Sequence, residues 1–105
     1  MKKWIGVDLH KTQFTVCYLG KKGEHQLQVY KVTAKDVEAF KQTVSKSDEV
    51  AVESTGNTGY FVRQLQDSVK EVKIINPTQF KIIYTSVKKT DDHDALVMAK
   101  YLSKG

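Results

Sequence analysis

The stretch Trp4-Ile5-Gly6-Val7-Asp8-Leu9 decides the fold. It is an apolar run of strand length that carries a lone carboxylate, Asp8, near its end. The polar corner His10-Lys11-Thr12 follows, and then a second β-rich run from Phe14 to Leu19, which together predict a hairpin. Gly20-Lys21-Lys22-Gly23 is a second turn, and Gln26 to Val32 alternates polar with apolar residues as an exposed third strand does. The chain therefore opens with a three-strand meander.

Downstream the period changes. Thr33 with Asp36 three residues later reads as a helix N-cap, and Val37, Phe40 and Val44 recur at helical spacing. Val50-Ala51-Val52 is a short apolar run ending in Glu53. The turn-like Ser54-Thr55-Gly56-Asn57 then leads to a second helical pattern through Tyr60, Phe61, Leu65 and Val69. Val72 to Ile75 reads as another short buried strand, closed by Asn76-Pro77. Phe80, Ile83, Tyr84 and Val87 suggest a further helical segment, and a last helix is expected from Thr90 or Asp91 through Ala95, Leu96, Ala99 and Leu102. The order β-β-β-α-β-α-β-α-α predicts an α/β domain with a mixed sheet, a meander joined to alternating helices and parallel strands. No repeat or linker divides the chain, so residues 1–105 are expected to form one domain. Helical periodicity still in force at Leu102 suggests a piece of a longer protein.

Composition narrows the function classes. A single cysteine, Cys17, excludes an internal disulfide framework and a multi-cysteine zinc site. The sequence has no run of about 18 apolar residues and no signal-like N-terminal stretch, so no membrane partner and a cytoplasmic location are expected. Lysine and arginine number 17 against 12 acids, a net charge of +5 spread from Lys2 to Lys104. Such scatter fits a solvated surface as well as a polyanion-binding face; acids committed to cations would tilt the balance toward the second.

The acids are placed unusually. Asp8 and Glu53 end strands that otherwise read as core, where an ionised group is rare unless paired or bound to a cation. Asp91 and Asp94 stand three apart at a helix start and so share a face. Carboxylates from two strand ends and one helix can converge in the crevice outside an α/β sheet. Four hard oxygen ligands favour Mg2+, or Mn2+, over zinc. Two such ions about 4 Å apart are the clamp used in phosphodiester cleavage. Each acid also has a local role open to it: Asp91, Asp92 and Asp94 as favourable charges at a helix N-terminus, Glu53 and Asp8 as turn or loop caps.

Ile5-Gly6-Val7-Asp8, Val52-Glu53-Ser54-Thr55-Gly56 with Tyr60 beyond it, Ile75-Asn76-Pro77, and Lys89-Thr90-Asp91 followed by Asp94-Ala95 resemble, in order, the N-terminal domain of the DEDD transposases of insertion-sequence family one-ten. The resemblance spans nearly the whole chain. It implies a ribonuclease H-like (RuvC-like) fold and identifies Asp8, Glu53, Asp91 and Asp94 as the catalytic, Mg2+-binding acids. The doublet Asp91-Asp92 leaves a question of register, which pairing with Asp94 resolves toward Asp91. The resemblance further implies metal-dependent DNA strand cleavage and transfer, a guide RNA encoded by the element, and a homo-oligomer. Members of this family continue through a coiled coil into a second domain with a serine nucleophile, which lies outside this sequence.

Lys11, Lys88 and Lys89 are weaker candidates, for phosphate contact, and His10 and His93 for proton transfer beside the acids. Three other readings compete. An actin-like or sugar-kinase-like ATPase half needs a glycine-rich phosphate turn, which Leu9-His10-Lys11-Thr12 lacks. A non-catalytic nucleic-acid-binding fragment of the same fold would keep the basic surface alone. A Holliday-junction resolvase-like nuclease would share the carboxylate cluster.

Overall fold

The computed structural model describes residues 2–53, 58–76, 78–82 and 94–104. Strands β1 (Trp4–Leu9), β2 (Gln13–Leu19) and β3 (His25–Lys31) form the expected meander, with both pairings antiparallel. Helix α1 (Ala34–Lys41) leads to β4 (Glu49–Glu53), and α2 (Thr58–Leu65) to β5 (Glu71–Ile75). Residues 78–82 are helical, and α3 (Asp94–Ser103) completes the described chain. The starting point expected for this last helix, Thr90 or Asp91, lies outside the described residues, as do Ile83, Tyr84 and Val87.

The sheet order is β3-β2-β1-β4-β5, with β4 parallel to both β1 and β5. This is the mixed sheet expected of a ribonuclease H-like domain. Alternation along the central strands divides the core between the two faces. Ile5, Val7, Phe14, Val16, Val50 and Val52 pack with Val37 and Phe40 of α1 and Phe61 and Leu65 of α2. Phe14 is the hub of this face, with ring centroids 5.0 Å from Phe61, 5.2 Å from Tyr30 and 5.5 Å from Phe40. On the other face Ala51 and Ile75 pack against Val97, Met98 and Leu102 of α3, while Cys17 and Leu19 meet Ala95, Leu96 and Ala99.

Local chemistry sets the boundaries. The Thr33 hydroxyl caps α1 by accepting from the Asp36 amide at 3.1 Å, and the Asp36 carboxylate reaches back to the Lys31 amide at 2.8 Å. The helix ends at Lys41, where the Thr43 hydroxyl takes up the Phe40 carbonyl at 2.6 Å. Val44 therefore sits beyond the helix, though it still packs on the core. β5 departs from the buried strand expected of it: Glu71, Lys73 and Ile74 are exposed and only Ile75 is buried. As the outermost strand it is covered incompletely, so its apolar residues signal β propensity more than burial.

Candidate metal centre

β1 and β4 run parallel with Gly6 opposite Ala51 and Val7 opposite Val52. One step further along each strand are Asp8 and Glu53, so the two acids end adjacent strands, about 4.8 Å apart by sheet geometry. Both lie on the Gly6–Ala51 face, which α3 covers.

What brings the third acid in is the path of α3. A Cβ built on Gly6 would lie 1.9 Å from the Ala95 carbonyl oxygen and 2.8 Å from the Ala99 amide nitrogen. The helix thus crosses β1 in backbone contact, which only a glycine permits. Its first residue, Asp94, immediately precedes that crossing and reaches Asp8. Asp8, Glu53 and Asp94, all half-buried, each present a carboxylate oxygen such that the three atoms lie within 4.8 Å of one another.

Their electrostatics are those of like charges held close together. Glu53 has its pKa raised above the usual carboxylate range, first by burial and then by the negative charges of Asp8 and Asp94; His10 opposes the shift. His10, exposed in the turn after β1, places Nε2 3.1 Å from Asp8 Oδ2, and its backbone amide closes the turn on the Gln13 carbonyl at 2.9 Å. All three members of the cluster are hard oxygen donors, a set that fits magnesium or manganese and not a thiolate- or imidazole-bound metal. Cys17 is buried under α3 with Leu19 and Ala95 and is not a member of the acid cluster.

Of the residues singled out from sequence, Asp8, Glu53 and Asp94 come together, with His10 beside them. Lys11 is exposed in the same turn as His10. Asp91, Lys88, Lys89, Asp92 and His93 lie outside the described residues. Two structurally decisive residues were missed. Gly6 was signalled by a glycine inside an otherwise apolar strand. Asp48, fully buried, accepts from the Lys3 amide at 2.8 Å and the Ser45 amide at 2.9 Å and ties the start of β1 to the start of β4. No periodicity marks it.

A family model of the DEDD transposases of the IS110 type, described as Transposase, matches residues 5–105. A search of curated proteins finds no match. Among the described residues, no helix is long and apolar enough to cross a membrane.

Proposed function

Because the chain belongs to the IS110 family of DEDD transposases, we propose that residues 1–105 are its RuvC-like metal-binding domain, acting in DNA strand cleavage and transfer during transposition. The observation that carries this is the convergence of Asp8, Glu53 and Asp94 within 4.8 Å. Asp91 is the fourth acid by resemblance. A guide RNA made by the element and assembly into a homo-oligomer belong to the same reading and come from family membership alone.

Each residue has a part. Asp8 and Glu53 are fixed by the parallel ladder of β1 and β4, so their spacing is set before any ligand arrives. Asp94 is carried by a helix locked against Gly6. His10 holds Asp8 by donating from Nε2 to Oδ2, which leaves the rest of that carboxylate for a cation. A bound divalent ion would supply charge stabilisation of the pentacovalent phosphate and lower the pKa of the attacking hydroxyl. The chain's own contribution is a negatively charged cradle of three carboxylates that suits a divalent cation.

The test is calorimetric titration of the 105-residue chain with Mg2+ and with Mn2+, alongside Asp8→Asn, Glu53→Gln, Asp94→Asn and Asp91→Asn. Binding is expected in the parent. Loss in each variant should be larger than the roughly 10–100-fold typical of outer-shell partners. Absence of binding both alone and with duplex DNA present would refute the metal-centre reading.

A further inference from the structure

The carboxylates lie on the sheet face that α3 covers, and the opposite face, from the N-terminal end of β1 out along β3, carries a groove for which metal chemistry has no use. Trp4 pairs with Leu19 on one side and with Glu49 on the other. Lys2, Lys3 and the turn after β2 therefore gather at the N-terminal end of β1. Four residues of strand, about 13 Å, separate them from Asp8. That exceeds the roughly 8 Å Debye length at physiological salt, so the acids do little to cancel the charge there.

Two cavities adjoin in this region and share Lys3, Tyr18 and Gln26. The smaller, about 310 Å³, has Tyr30, Thr43 and Gln28 in its wall. The larger, about 730 Å³, adds Lys2, Lys21, Lys22 and His25. The rim is cationic. Lys2 pairs with Glu49 and Lys3 with Asp48, but the Asp48 carboxylate already serves two backbone amides. Lys21 and Lys22 have no acidic partner among the described residues. Glu24, the acid in their wall, accepts from the Lys22 amide at 3.1 Å and so is engaged in holding the turn.

The floor has a defined polarity. The Thr43 hydroxyl donates to the Phe40 carbonyl at 2.6 Å, so it can only accept from Tyr18, 2.8 Å away. Tyr18 spends its proton there and must accept from Tyr30, 3.0 Å away. The Tyr30 oxygen is left with acceptor capacity alone, beside the Gln26 and Gln28 amides, which offer both donors and acceptors. An acceptor floor suits amino groups of nucleobases and disfavours anions, whereas the lysine rim suits phosphates. The rings of Tyr18 and Tyr30 are packed against Phe14 and Phe40, so bases would be read at their edges and not by stacking. Edges engaged in pairing within a duplex are less available, which favours an unpaired strand.

We propose that this groove binds a segment of single-stranded nucleic acid, with phosphates along Lys3, Lys21 and Lys22 and base edges on Gln26, Gln28 and Tyr30. The chain then holds one strand on the sheet face opposite the carboxylates. The proposal takes its class of ligand from the function proposed above, but is independent of metal.

Fluorescence anisotropy of labelled single-stranded 12-mers, RNA and DNA, measured in EDTA with the 105-residue chain, tests it. Lys21→Ala/Lys22→Ala should reduce the salt slope of log K by about 1.4, which at 0.1 M salt is about 25-fold in affinity. Gln26→Ala/Gln28→Ala should weaken binding with the slope unchanged, and Lys73→Ala, on the far edge of the sheet, should leave the slope unchanged. All these positions are at the surface, and matching thermal melts would confirm that the fold is kept. An unchanged slope in the lysine pair would overturn the proposal, as would equal binding of a duplex or of polyglutamate. A drop in slope in Lys73→Ala equal to that per lysine of the pair would show diffuse attraction to the whole surface and overturn the groove. Failure here with metal binding intact would leave the metal centre standing, and failure of metal binding with this result intact would leave the groove standing.

Discussion

Replacing Gly6 by alanine probes the contact that places Asp94 in the site. The new Cβ would sit 1.9 Å from the Ala95 carbonyl oxygen and 2.8 Å from the Ala99 nitrogen. Both are backbone atoms, so no change of rotamer relieves the overlap. To restore an ordinary carbon–oxygen distance the helix must retreat by about 1.5 Å. A gap of even 0.5–1 Å forfeits roughly a quarter to a half of each dispersion contact, and α3 contributes six buried residues to the core, from Ala95 to Leu102. Overpacking costs about 1–3 kcal/mol, and a rigid clash such as this belongs at the upper end. At about 4–8 °C per kcal/mol for a domain near this size, the melting temperature should fall by roughly 10–20 °C. Asp94 moves with the helix, so magnesium affinity should fall as well. Gly59→Ala is the internal control: among the described residues its Cβ would meet only Arg63 Nη1, at 3.5 Å, and alanine in a helix gains up to about 1 kcal/mol over glycine. Circular-dichroism melts and calorimetry on both variants check the pair. A Gly6→Ala protein with parental melting temperature and parental magnesium affinity would refute the close-approach account.

Three further outcomes are expected. Phe14→Ala removes the ring that contacts Tyr30, Phe40 and Phe61 and should cost about 3–5 kcal/mol in urea unfolding. Asp48→Ala leaves the Lys3 and Ser45 amides without their acceptor and Lys3 without its counter-charge; it should destabilise by about 3–5 kcal/mol, well beyond the value of a surface ion pair, as a shift in urea midpoint would show. In metal-free protein the raised Glu53 pKa means that the folded state holds its proton more tightly than the unfolded chain does. Stability present below the ordinary value of 4.5 is then lost as pH rises through the raised one. Urea midpoints in EDTA should decline over that window in the parent and decline less in Glu53→Gln; equal slopes would remove Glu53 from the coupled cluster.

Much of this was legible in sequence because the strands carry their own punctuation. Trp4 to Leu9, the His10-Lys11-Thr12 corner and the Gly20–Gly23 turn define the meander to within a residue, and Thr33 caps α1 where its hydroxyl and Asp36 predict. Asp8 and Glu53 stood out because a carboxylate in a core-like strand has few uses. β5 misled because Val72 and Ile74 look as buried as Ile75, whereas exposure is decided by sheet order, a long-range property that no local window contains. The approach of α3 to Gly6 has the same origin: a glycine in a strand says that something comes close but not what. Asp48 was invisible because its partners are backbone amides of Lys3 and Ser45, one of them 45 residues away in sequence. The groove near Lys21 escaped because its lysines look like solvated turn residues until the sheet brings Tyr18 and Gln26 beside them.

The acids of the metal centre do not gather by attraction. Asp8 and Glu53 are held by a ladder whose other face is packed on Phe14 and Phe61, and Asp94 is held by a helix whose contacts are with Ala51, Cys17 and Leu19. Core packing therefore works against the mutual repulsion that lifts the Glu53 pKa, and a divalent cation relieves the opposition. Binding to the folded state alone adds about 2.7 kcal/mol at a hundredfold excess over Kd. Two kinds of residue then separate by sign. Neutralising a ligand, as in Glu53→Gln or Asp94→Asn, should raise metal-free stability while abolishing the magnesium response. Disturbing the support, as in Gly6→Ala, should lower stability and weaken the response together. Measuring melting temperature with and without magnesium across these variants thus distinguishes a residue that touches the ion from one that only positions another, and a ligand variant that loses stability in EDTA would show that its carboxylate serves the fold and not the cation.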